Sequence, residues 1–141
     1  MTMNREERKK AMKMATAIAE MGWRADIVPA SEYDGIHANY HTHGLQENFG
    51  HIDFQVVLPI DPSKTHAVMF QIIENIKEGK VYEEGKLYDD IIPMPMGFKV
   101  FKECGRDVLR LLIPDGQGRH PDDPQCEPFF RLQLDDYPFD S

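Results

Sequence analysis

A chain of 141 residues with 41% hydrophobic and 28% charged side chains has the size and composition of one globular domain, with enough apolar residues to bury a core without staples. The formal net charge of −8 disfavours nonspecific binding to phosphate backbones. No apolar run approaches the roughly 18–20 residues a membrane helix needs, and the charged N-terminus has no signal-like apolar stretch, so a cytoplasmic protein is expected.

Residues 4–21 read as a leading helix. Asn4 is a cap with Glu7 at the capping-box spacing, Ala11, Met14, Ala15, Ile18, Ala19 and Met21 line one side, and Gly22 is a natural stop. Residues 23–28 alternate, Trp23, Ala25 and Ile27 against Arg24, Asp26 and Val28, as in a short strand ended by Pro29. Residues 36–45 read as strand-like, and the β-branched run at 53–60 as a stronger strand. The clearest helix is predicted over 61–79, with Asp61 or Ser63 as cap, Pro62 in the first turn and Gly79 at the end.

Residues 81–92 are turn-rich around Gly85. Residues 98–103 and 108–113 form a predicted hairpin joined by CGRD. Beyond Pro114 the chain is rich in Gly, Pro and Asp and is expected to be irregular. The whole reads as a single α+β domain, 1–141. It has an antiparallel or mixed sheet in one layer pair with two main helices, the sheet and central helix over 23–113 and an irregular closing segment over 114–141.

Four of the six histidines fall in HANYHTHGLQENFGH, residues 37–51. On a strand, residues two apart share a face, so His37, Asn39, His41 and His43 project together. Two imidazoles so placed can ligate one divalent ion, zinc or similar, with His51 as third ligand and Glu47 as a base. The competing reading is a polar strand face with His51 satisfying a turn.

A second polar cluster is GRHPDDP, residues 118–124, where Arg119 can grip an anion in two parallel hydrogen bonds beside His120, Asp122 and Asp123. Here the competing reading is a self-satisfied turn network. Asp89 and Asp90 beside Tyr88 can do acid–base chemistry or simply end a strand. Cys104 and Cys126 show no zinc-ligand spacing and are expected as free thiols. No GxSxG, P-loop, GxGxxG, HExxH or CxxC occurs.

Gly44, Leu45, Glu47, Phe49, Gly50, His51 and Asp53, then Gly79, Gly85, Tyr88 and Asp90, follow an ordered pattern that resembles a bacterial family known only as domain of unknown function 4262. The upstream MGWRADIV and the late LLIPDGQGRHPDDPQCEPFFRLQL are similar to its early strand and closing segment. The chain departs from the family at His41, Thr42 and His43, where tyrosine and threonine are usual. It also departs at Ile52 (usually Pro), His120 (usually aromatic) and Asp122 (usually Trp). The resemblance implies a fold and a shared surface, and carries no activity.

The residues themselves lead to a small domain that binds an anionic small molecule or a partner protein. The polar pocket would be built from His41, His43, Glu47, His51, Arg119 and His120. A metal-dependent hydrolase on His41, His43 and His51, and an inhibitor or immunity-type interaction module with an acidic surface, are the alternatives; self-association is open.

Overall fold

The computed structural model describes residues 4–9, 12, 20–32 and 34–136. At the N-terminus, residues 5–9 are helical, and the capping box is formed. Glu7 N–H donates to Asn4 Oδ1 at 2.8 Å while Asn4 N–H donates to Glu7 Oε2 at 3.3 Å. Ala11, Met14, Ala15, Ile18 and Ala19 of the predicted stripe lie outside the described residues.

Strands β1 (Arg24–Val28), β2 (Asn39–His43), β3 (Phe54–Val56), β4 (Gly97–Glu103) and β5 (Arg106–Leu112) make one mixed sheet in the order β1-β2-β3-β5-β4. All neighbours are antiparallel except β3 and β5, which run parallel and are separated in the chain by helix α2 (Pro62–Lys77), the segment after it and β4. Asp61 caps α2, accepting the Ser63 N–H at 2.9 Å, and Pro62 occupies its first turn.

Two short α-helices were not anticipated, α1 (Leu45–Phe49) between β2 and β3 and α3 (Pro128–Arg131), nor were the 3-10 turns at Ala30–Glu32 and, directly after α3, at Leu132–Leu134. The strand expected over 53–60 shortens to Phe54–Val56. Beyond it Val57 and Leu58 stay buried, and Pro59 brings no N–H to a ladder. The hairpin turn is also tighter than CGRD. Arg106 pairs with Glu103, so only Cys104 and Gly105 lie between the strands, both at positive φ (49° and 86°), as a two-residue primed turn requires.

The registers sort the sheet into two unlike faces. Ala25, Tyr40, Phe54, Val56, Phe98, Leu109 and Leu111 point to the side where Met69, Ile72, Ile73 and Ile76 of α2 complete the apolar core with Trp23 and Leu45. The other face carries the polar groups, Arg24 and Asp26, then Asn39, His41 and His43, then Gln55, then Arg106 and Arg110, then Lys99 and Glu103, together with Val28, Phe101, Val108 and Leu112. Much of it is nevertheless buried, Asn39, His41, Gln55, Glu103 and Arg110 among them.

Candidate functional site

A buried polar face persists only if its groups satisfy one another. Here a chain of hydrogen bonds crosses the strands. Arg110 Nε donates to Gln55 Oε1 (2.8 Å), Gln55 Nε2 to Asn39 Oδ1 (3.1 Å) and Asn39 Nδ2 to Glu103 Oε2 (3.4 Å). Arg106 closes it, donating from Nε to Glu103 Oε1 at 2.9 Å and from Nη2 to the Thr42 carbonyl at 2.8 Å. At the Arg110 end the closing segment covers the face: Arg110 Nη1 donates to the carbonyls of Gln133 (3.1 Å) and Asp135 (2.8 Å), and the Phe101 ring stacks on its guanidinium.

The opposite end is open. Arg24, His43, Gly44, Glu47, Asn48 and Arg106 line a cleft of about 310 Å³ there. Gly44 explains how α1 comes to form one wall. At φ 100° it sits so close to the chain before β1 that a Cβ would lie 2.7 Å from the Gly22 carbonyl oxygen. Asn48 of α1 fastens the same contact, donating from Nδ2 to Gly22 O at 2.9 Å.

Beside the cleft stands a cluster of Asp26, His41 and His43. Asp26 Oδ2 is 3.5 Å from His41 Nε2 and 3.2 Å from His43 Nε2, and the two imidazoles meet edge to face at 4.9 Å between centroids. Arg24 pairs through Nη1 with the other Asp26 oxygen and keeps a buried Nε without a partner among the described residues. His41 Nδ1 lies 3.2 Å from the Asn39 carbonyl, to which it donates. Burial pushes the His41 pKa down. Burial, with Arg106, His41 and Arg24 close by, pushes that of His43 down to about 4. Both shifts favour the neutral imidazole, the form that binds metals. This Asp/His cluster can coordinate a metal ion.

Behind Arg106 sit two buried carboxylates. Asp53 accepts from Thr42 Oγ1 (2.8 Å) and Leu45 N–H (3.2 Å) and lies 3.4 Å from Arg106 Nη1; burial still pushes its pKa up. Burial acts the same way on Glu103, but the Cys104 thiol, His41 and Arg106 outweigh it and hold that carboxyl below its usual range. Cys104 itself is pushed up by its hydrogen bond to Glu103 and by burial, which is not the setting of an activated thiol. Both cysteines are free.

The residues singled out in the sequence therefore divide. His41, His43 and Glu47 come together at the open end of the polar face, with Glu47 exposed on α1. His51 does not join them. It stacks on Phe54 (5.2 Å), which points to the apolar side of the sheet. Its Nδ1–H donates to the Ile52 carbonyl (2.8 Å) and its Nε2 accepts the Tyr82 N–H (3.0 Å), so both nitrogens are used.

Arg119 and His120 lie past the far end of β5, away from Arg106 at its start. Arg119 is bound to Asp115, whose carboxylate also takes the N–H groups of Gln117, Arg119 and Glu127. His120 and Asp122 line a separate cavity of about 400 Å³ with Leu87, Phe98 and Leu134. Asp90 is tied to Lys80 and accepts from the Tyr82 hydroxyl at 3.3 Å.

Arg24, Asp26 and Arg106 were not among the predicted site residues. Their only signal is the strand alternation that sets Arg24 and Asp26 on one side of β1.

Residues 17–127 match the family described as Domain of unknown function (DUF4262). The chain belongs to that family. No curated protein and no solved structure matches it. The cleft, the Asp26–His41–His43 cluster and Arg119 all fall within the matched span. No helix among the described residues is long and apolar enough to cross a membrane.

Proposed function

We propose that the cleft between β1, β2, α1 and the start of β5 binds a small anionic ligand, a phosphate or carboxylate compound. The observation that carries this reading is the pair of guanidinium groups, Arg24 and Arg106, lining one cleft with His43 in a chain whose net charge is −8. Guanidinium groups present planar forks of donors that match carboxylate and phosphate oxygens, and both line this cleft while each is also paired with a carboxylate of the polar face.

Calorimetric titration with inorganic phosphate, small dicarboxylates and uncharged analogues, in the presence of chelator, tests it. One anion class should bind, raise the unfolding temperature, and lose at least about tenfold in affinity in Arg24→Ala. Binding indifferent to that substitution, or no anion binding at all, refutes the reading.

A second reading, a hydrolase that uses a divalent metal such as zinc, is favoured by the Asp26–His41–His43 cluster beside the same cleft and by exposed Glu47 on its wall. Glu47 would serve as general base toward water in the cleft. Turnover of a chromogenic phosphate ester, abolished by chelator and by Glu47→Gln in a folded protein, would support it. Absence of turnover across phosphate and carboxylate esters with zinc present would remove it.

A further inference from the structure

The spacing inside the Asp/His cluster carries an inference that rests on the anion reading of the cleft and adds to it. A tetrahedral ion with ligands at about 2.0–2.1 Å keeps its ligand atoms about 3.3–3.4 Å apart, whereas adjacent octahedral ligands at that bond length sit about 2.9 Å apart. The two edges from Asp26 Oδ2, 3.5 Å to His41 Nε2 and 3.2 Å to His43 Nε2, bracket the tetrahedral value, and each of the three residues offers a ligand atom within 4.8 Å of the other two.

Hydrogen bonding fixes which His41 nitrogen is available. Its Nδ1–H is held by the Asn39 carbonyl at 3.2 Å, so the Nε2 lone pair faces a carboxylate oxygen. Those two lone pairs repel unless a positive centre lies between them, and a dication placed there is also within reach of His43 Nε2, 3.2 Å from the same oxygen. The remaining Asp26 oxygen is pinned by Arg24, as carboxylate ligands of metals commonly are.

We propose that Asp26, His41 and His43 form a three-ligand zinc site whose fourth position opens on the Arg24–Arg106 cleft and takes an oxygen of the bound anion. His43 belongs to both the cluster and the cleft wall, which places the open position beside the guanidinium groups. One carboxylate and two neutral imidazoles leave bound zinc with a surplus positive charge, while Arg24 is paired with Asp26 and Arg106 with Glu103 and Asp53. An anion oxygen in the fourth position offsets the surplus charge of the zinc. Metal and anion therefore bind with positive coupling, and the factor by which zinc tightens the anion equals the factor by which the anion tightens zinc.

The test uses the full chain stripped with chelator. Zinc is titrated in phosphate-free buffer, and inorganic phosphate is then titrated with and without zinc. One zinc should bind per chain, and the affinity should fall at least about 100-fold in Asp26→Ala and in His43→Gln. Cobalt in its place should give the visible absorption of a tetrahedral centre, a readout independent of any activity. Zinc should tighten phosphate at least about tenfold.

Circular dichroism establishes that each variant is folded. Should Asp26→Ala not fold, the half-exposed His43→Gln decides alone. No zinc binding, undiminished binding in His43→Gln, or phosphate affinity indifferent to zinc overturns the proposal. Phosphate binding that persists in chelator while zinc fails to bind overturns it and leaves the anion reading standing; loss of both removes both.

Discussion

Arg106 is the cation on which the buried carboxylates of the polar face depend. Replacing it by methionine keeps most of the aliphatic stem and removes the charge. Glu103 is 3% exposed and Asp53 5%, so each would face the low-dielectric interior without its neighbour, and the Thr42 carbonyl would lose its 2.8 Å donor. Breaking one side of a fully buried pair costs about 3–5 kcal/mol. The Arg106 side chain is 29% exposed, so water compensates in part, and we expect about 2–3 kcal/mol.

The pH dependence is the sharper readout. Without Arg106 the folded-state pKa values of Asp53 and Glu103 rise. The native variant then binds more protons than its unfolded chain as the pH falls, and regains stability toward acid. In the parent, Glu103 is held below its usual range and does the reverse, losing stability as it is protonated. The deficit measured by urea unfolding should therefore shrink by at least about 1 kcal/mol between pH 7 and pH 5. A loss under about 0.5 kcal/mol at pH 7, or a deficit equal at both pH values, would refute the account of this network.

His51→Ala should destabilise by about 2–4 kcal/mol, because the Tyr82 N–H loses its acceptor and the Phe54 ring its stacking partner. Zinc and phosphate titrations of the folded variant should match the parent, and a tenfold loss there would show that His51 belongs to the site. Asp115 is buried, yet three backbone N–H groups and Arg119 Nε hold its carboxyl well below the usual range. That contribution is present above the unfolded value of about 3.9 and is lost as the pH falls. Asp115→Asn should thus unfold at a lower temperature at neutral pH and show a flatter loss of stability below about pH 4 in calorimetric scans. Parallel curves for the two proteins would contradict it.

Local chemistry in the sequence was enough for the elements with a strong local signal. The Asp61–Pro62 start of α2, the alternation in β1 and the apolar runs of β4 and β5 each depend on neighbours within a few residues, so hydrophobic periodicity and capping reveal them. The shared face of His41 and His43 was legible for the same reason: the period of a strand is two. Short helices such as α1 and α3 are not, because a single turn is held by tertiary packing rather than propensity.

Only the tertiary structure decided which residues meet those histidines. Antiparallel pairing of β1 with β2 brings Asp26 opposite His41, and the β4–β5 hairpin delivers Arg106 to Thr42 from a position 64 residues away. Strand order and register are set by burial of the opposite, apolar face against α2, a global free energy that no local window contains. The same constraint sent His51 to the apolar side and carried Arg119 and His120 past the other end of β5.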